Sequence, residues 1–204
     1  MKRMLIFFGI LIGCIIIVIV GLILATPAMD RWGTNDAEVN AVYPGDELLT
    51  NPGRVSTRAI TVKAEPEKIY PWIVQTGADK SGMYSYTWLE NLMGCKMAKD
   101  ETIHPEWQNL KVGDLMKMCA SDPAPTPYAV AEVIPNEAVI YGHQENGAWV
   151  DLWQFILVPQ KDGSTRLISR TRTNMTGGIW EVIRPISFFM EQKMLSTIKT
   201  LAEK

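Results

Sequence analysis

The chain has 204 residues and a formal net charge of −2, from 20 basic and 22 acidic residues. Behind an apolar N-terminal run it keeps one domain's worth of sequence, long enough for a sizeable core. No basic run exists, so nucleic acid is not an expected partner. The three cysteines (Cys14, Cys95, Cys119) and two histidines (His104, His143) lack the spacing of a zinc site, so neither a metal nor a cofactor is expected.

Met4 to Ala25 carries no charge. As a helix it would run about 33 Å, enough for a hydrocarbon core of about 30 Å. Lys2 and Arg3 precede it, which predicts an N-terminus on the cytoplasmic side and a domain on the far side. Two rivals are a cleaved signal peptide, whose apolar core is usually only about 7–15 residues, and a lipoprotein box at Leu11-Ile12-Gly13-Cys14. The apolar run Ile15–Leu24 after Cys14 argues against the second. Residues 1–28 are therefore read as a single transmembrane anchor. The stretch 29–53, broken by Pro44, Gly45, Pro52 and Gly53, reads as a linker, and 54–204 as the domain.

Within the domain, Arg54–Lys63 alternates as a strand does. Pro66 opens a helix through Gln75 that Gly77 stops; Ile69, Trp72 and Ile73 form its buried side. After the loop Asp79–Gly82 a second helix is expected over Tyr86–Met93, with Thr87-x-x-Glu90 as a capping box. Ala98–Gly113 is irregular, Leu115–Cys119 reads as a strand, and the prolines of Ser121–Pro127 dictate a loop. Strands follow at Tyr128–Ile134 and Ala138–His143, turning at Pro135-Asn136. The pair Ala148–Pro159 and Thr165–Thr173 is joined by a two-residue turn at Asp162-Gly163. The steps Ile179, Ile183, Ile186, Met190, Met194, Ile198 and Leu201 draw one helical stripe. Pro185 suits a first turn, which predicts a short turn at Ile179–Arg184 and a main helix over Pro185–Glu203. The class is α+β: an antiparallel sheet of about six strands, helices on one face, two of them short and following the first strand.

Thr57-Arg58-Ala59-Ile60-Thr61-Val62 with Pro66-Glu67-Lys68-Ile69-Tyr70-Pro71-Trp72, then Gly82-Met83-Tyr84-Ser85-Tyr86-Thr87-Trp88-Leu89-Glu90-Asn91, His104-Pro105-Glu106, Val112-Gly113-Asp114, Trp153–Leu157 and Thr165-Arg166-Leu167 carry a resemblance over about Val55–Glu203. The chain resembles the START-like helix-grip superfamily (SRPBCC), and among its members the bacterial polyketide cyclase/dehydrase-like proteins. The resemblance implies a curved sheet wrapped around the long C-terminal helix, with a hydrophobic cavity between them, and with the anchor it implies a bacterial cell membrane. It does not fix function, because that superfamily holds carriers, sensors, cyclases and subunits without a ligand.

Counting back from the two-residue turn pairs Trp153 with Arg172, Phe155 with Arg170 and Leu157 with Ile168. Asp151, Trp153, Phe155, Arg170 and Arg172 would then share the concave face. On the functional reading, an arginine there holds a carboxylate, phosphate or enolate oxygen. The bland readings are an internal Arg–Asp pair with cation–π stacking, or a solvated cluster at the mouth. Tyr84, Tyr86 and Trp88 either line a cavity entrance or pack in the core with polar tips at the surface. Met190 and Met194 either adapt a cavity wall or fill the core. His104 and Glu106 form an acid–base pair or are unrelated neighbours of Pro105. His143 reads as a surface residue, Asp79 and Asp114 as loop residues. Cys95 and Cys119 either bond to each other or stay separate thiols.

Three functions follow. The first is a membrane-tethered domain binding a lipid or other hydrophobic small molecule. The second is a cyclase/dehydrase-type enzyme polarising a carbonyl, which no triad, metal motif or carboxylate pair supports. The third is an interaction module with a filled core.

Overall fold

In the computed structural model, which describes residues 2–122 and 124–204, the alternating stretch Arg54–Val62 forms β1. It pairs along its whole length with the last strand, β6 (Thr165–Thr173). Between them in the chain come β2 (Leu115–Met116), β3 (Tyr128–Ile134), β4 (Ala138–Glu145) and β5 (Ala148–Pro159). The six strands form one antiparallel sheet in the order β1-β6-β5-β4-β3-β2. An apolar helix, α1 (Lys2–Met29), precedes the sheet, with a short α2 (Asp36–Asn40) after it. The helices α3 (Pro66–Val74) and α4 (Thr87–Leu92) lie between β1 and β2 in the chain, and α5 (Ile179–Ala202) closes it. This is a helix-grip: a curved sheet holding the C-terminal helix. Register shifts between Val130 and Glu132, and between His143 and Gln144, mark bulges that bend the strands.

The layer between sheet and α5 is filled. Tyr141, Phe155 and Leu167 from the sheet meet Met194, Leu195 and Ile198 from α5, and all six are fully buried. Residues this size contribute about 1.5–3 kcal/mol each by leaving water. The long helix runs unbroken through Pro185, so the turn expected at Ile179–Arg184 is part of it. Pro185 forfeits one backbone hydrogen bond, but it is buried with Phe188 three residues on, and packing holds the helix together. At α4 the expected capping box is absent; Tyr86 is the cap residue without a side-chain bond, and the Glu90 side chain is buried. The strand expected over Leu115–Cys119 stops at Met116. The Lys117 carbonyl accepts instead from the Ala78 amide (2.8 Å), and Cys119 is drawn into a disulfide with Cys95.

The β5–β6 register differs from the count by one residue. The Gln160 amide donates to the Ser164 carbonyl (2.8 Å), and Gly163 takes φ +79°, so the loop has three residues, Lys161–Gly163. Trp153 therefore faces Thr171, Phe155 faces Ser169 and Leu157 faces Leu167. Arg170 and Arg172 pair with Gln154 and Leu152 and point to the convex face, away from the aromatic side chains.

That convex face is covered by the breaker-rich stretch before β1. Tyr43 packs with Ala59, Ile156 and Ile168, and Leu49 with Ala138, Ile140 and Leu152. Asp46, buried, lies 3.2 Å from both the Arg170 Nε and the Arg172 Nη1. Arg172 also donates to the Leu49 carbonyl (2.8 Å), and Gln154 to the Pro44 carbonyl (2.7 Å). Arg170 sits over the Tyr43 ring, 5.4 Å from its centroid. Burial pushes the Arg170 guanidinium below its ordinary range, and the Asp46 carboxylate opposes that shift. Removing one partner of a buried ion pair costs about 3–5 kcal/mol. Asp46→Ala, which strands two arginines, is expected to lower the melting temperature by on the order of 10 °C in circular dichroism. A loss under about 2 °C would show that the strap does not hold these charges.

Candidate functional site

The concave face turns polar where β5 begins. Asp151 opens that end, with its side chain only 6% exposed. The register brings three strands to it: Asp151 faces His143 of β4 and Thr173 of β6. The first residue of β3, Tyr128, donates its hydroxyl to the Asp151 Oδ2 at 2.5 Å. Tyr128 and His143 lie ring to ring, centroids 3.9 Å apart, and Trp153 flanks Tyr128 at 6.2 Å. The His143 Nε2 bonds the Thr126 carbonyl at 2.8 Å, while Nδ1, buried and without a hydrogen bond, stands 4.0 Å from the Asp151 Oδ2. Trp153 is fixed by its indole N–H donating to the Ser169 hydroxyl (2.8 Å).

From the other side α5 contributes Glu191, buried where its neighbours on the same face are apolar. Its Oε2 pairs with the Arg58 Nη1, and its Oε1 is buried with no partner. Arg58, on β1, also donates to the Met29 carbonyl at the end of α1 (3.0 Å), lies 3.3 Å from the Asp30 carboxylate and covers the Phe188 ring at 5.4 Å. Arg54 donates to Asp30 through Nε (2.7 Å). Burial, then the charge and hydrogen bond of Asp151, then the charge of Glu191 raise the Tyr128 hydroxyl well above a phenol's usual value. At neutral pH it is a committed donor. Among the described residues, no lysine or arginine pairs with Asp151.

The residues singled out from the sequence do not form one group. Asp151, Trp153 and Phe155 share the concave face, Phe155 within the core. Arg170 and Arg172 are on the other side of the sheet. Tyr84 is buried, edge-on to Trp72, and accepts from the Gln75 Nε2 (2.9 Å). Tyr86 is half-buried and Trp88 exposed, so the three rings line no common wall. Met194 is core, and the Met190 carbonyl accepts from the Ser85 hydroxyl (2.9 Å). His104 does meet Glu106 (3.4 Å), and Asp100 more closely (2.7 Å). The Asp100 hydrogen bond chiefly raises the imidazole's pKa, and the cluster stands at the solvent surface. A cleft of about 510 Å³ lies between the strap at Val42–Pro44 and Pro66, and one of about 290 Å³ lies beside Trp107 and Leu110. Neither lies under α5.

No protein-family model matches the chain, and no curated protein does. Among solved structures the chain is similar to the self-sacrificing resistance protein CalC from Micromonospora echinospora, at 11% identity and TM-score 0.45 over 75% of this chain and 96% of that one. It is similar to the Aha1 dimer from Colwellia psychrerythraea, at 18% and 0.39 over 69% and 93%. It is also similar to Ara h 8.0201, at 13% and 0.43 over 73% and 97%. Identities and scores this low transfer no function to this chain.

Five phenols (Tyr43, Tyr70, Tyr84, Tyr128, Tyr141) are raised, burial first among the causes in each. Above about pH 10 the unfolded chain releases these protons and the folded chain keeps them. The unfolded state then binds fewer protons, so stability falls as pH rises. Tyr128→Phe is expected to lower stability at neutral pH by about 1–3 kcal/mol, because Asp151 loses its donor. The same change makes the alkaline decline shallower. Denaturant titrations from about pH 8 to about 11 check both, and an unchanged slope would show that Tyr128 ionises freely.

Proposed function

We propose that the chain is a membrane-tethered helix-grip domain that binds a small amphipathic molecule at the Asp151 end of the grip. The head of that molecule donates hydrogen bonds or carries positive charge. Asp151 carries the reading: a buried carboxylate with a tyrosine hydroxyl as donor, the His143 Nδ1 4.0 Å away and, among the described residues, no lysine or arginine paired with it. A buried charge needs compensation, and a donor or cation among Tyr128, His143 and Trp153 supplies it through hydrogen bonds and ring faces. The unpartnered Glu191 Oε1 and His143 Nδ1 add two acceptor positions near the same place.

The tether is α1, whose segment Ile6–Met29 is long and apolar enough to cross a bilayer. Lys2 and Arg3 before it favour a cytoplasmic N-terminus. The Cys95–Cys119 disulfide fits an oxidising compartment for the domain. A ligand-free interaction module is the second reading, and the filled layer under α5 favours it. The central hydrophobic cavity expected from the resemblance is no part of the proposal: Met194, one of its intended walls, is core. The binding end has partly exposed rings and needs no such cavity.

The test is mass spectrometry of the full chain, extracted from its membrane in lipid-bilayer discs, with organic extraction of what co-purifies. The expected result is a stoichiometric amine-bearing or hydroxyl-rich amphiphile. In Asp151→Asn its retention falls at least about tenfold, since a hydrogen bond to a charged group contributes about 1.5–3 kcal/mol. No bound molecule in the unaltered chain would sink the binding reading in favour of the interaction module.

A further inference from the structure

The first half of α5 is apolar on two neighbouring sides. One side meets the sheet through Pro185 and Phe188. The other points outward: Ile179 (63% exposed), Val182, Ile186 (54%) and Phe189. At about 100° per residue these four fall within about 80° of one another on the helix. The same outward stripe continues as Lys193, Thr197 and Thr200. It changes from apolar to polar within one turn, between Phe189 and Lys193. A soluble surface helix has no reason for such a boundary, because its outward side is polar throughout.

The apolar half is the half beside α1. α1 packs against α5, and Leu22, Ile23, Thr26 and Met29 are its covered or partly covered positions near that end. Trp32 meets Phe188 edge to face at 6.2 Å. The junction is fixed by hydrogen bonds. The Thr57 and Ala59 amides on the outer edge of β1 donate to the Asp30 and Trp32 carbonyls (2.7 and 3.0 Å), and Arg58 holds the Met29 carbonyl. Leu22–Met29 spans roughly 10 Å along the helix axis. A domain clamped over that length of a spanning helix cannot stand clear of the bilayer. α4 begins beside Met190 and adds exposed Trp88 and Leu92.

We infer that the outward face of α5 from Ile179 to Phe189, with Trp88 and Leu92 of α4, is immersed in the boundary layer of the lipid bilayer that α1 crosses. This rests on the tether proposed above. The bilayer is the occupant because the patch adjoins a helix whose stretch Ile6–Gly21 is exposed almost throughout and itself needs lipid. An interfacial helix buries its apolar side about 5–10 Å into the headgroup and acyl boundary. A tryptophan such as Trp88 suits that layer, and Lys193 marks its aqueous rim.

The test uses the full chain in phosphatidylcholine/phosphatidylglycerol vesicles, with Cys14→Ser removing the free thiol. A spin label is placed singly at Ile17→Cys, Ile186→Cys, Phe189→Cys or Thr200→Cys. Each label's collision rate is measured with oxygen, which partitions into lipid, and with a water-soluble nickel chelate. If the inference holds, the oxygen-to-nickel ratio at 186 and 189 is several-fold that at 200 and below that at 17. Lipid exposure at 17 with water exposure at 186 and 189 overturns the docking surface and leaves the tether standing. Water exposure at 17 overturns both. Labels at 186 and 189 that neither collider reaches point to a protein on that face and overturn the bilayer as its occupant.

Discussion

The loop Lys161–Gly163 holds Gln160 opposite Ser164, and every side chain of β5 and β6 takes its face from that pairing. Gly163 adopts the left-handed conformation that closes the loop, and Asp162 accepts from the Ser164 amide and hydroxyl (3.1 and 2.7 Å). Because strand side chains alternate with period two, this one loop decides which polar groups meet α5 and which meet the strap. Asp151, Trp153, Ser169 and Thr171 go to one side; Gln154, Arg170 and Arg172 go to the other.

The two sides solve the burial of charge differently. On the convex face Asp46 lies between two arginines, and carbonyls of the strap take up remaining donors, with the Gln154 Oε1 left buried and unpartnered. That is a structural solution, and it explains why a stretch full of turn residues is held against the sheet. On the concave face Arg58 is shared between Glu191 and Asp30, while Asp151 has the Tyr128 hydrogen bond and the His143 ring 4.0 Å away. The fold thus sets one buried carboxylate between two arginines on one face, and on the other sets a buried carboxylate beside a tyrosine and a histidine.

Much of the architecture was legible because it depends on local pattern. The alternation of β1, Pro66 at the start of α3, and β5 and β6 from Ala148 to Thr173 came from short-range chemistry. What failed depended on one residue or on distant partners. Asp-Gly marks a hairpin but does not distinguish a two-residue loop from a three-residue one, and that single residue moved both arginines. Proline in the first turns of a helix reads as a start, yet the helix runs through Pro185, which is itself buried with Phe188, while Ile179 and Ile186 of the expected stripe face outward. Tyr128 and His143 escaped notice as partners because β3 and β4 reach Asp151 through strand pairing, and neither carries a motif. The alternation of β4 did place His143 on a strand; only its opposite number in β5 brought it beside Asp151. Glu191 had a usable signal, a lone acid on the buried stripe of a helix, which is seldom left without a partner.

Arg58 joins these parts. One guanidinium bonds the last carbonyl of the apolar helix, the first carboxylate after it and the acid on α5 nearest the site. The edge of β1 is covered by the same residues, Asp30 and Trp32, so the sheet has no free hydrogen-bonding edge there while α1 is attached. A chain cut before β1 would uncover that edge, remove Asp30 from two arginines and lose the strap that holds Arg170 and Arg172. The apolar helix and the segment after it are thus structural parts of the grip. The position of the apolar helix relative to the sheet is set by hydrogen bonds.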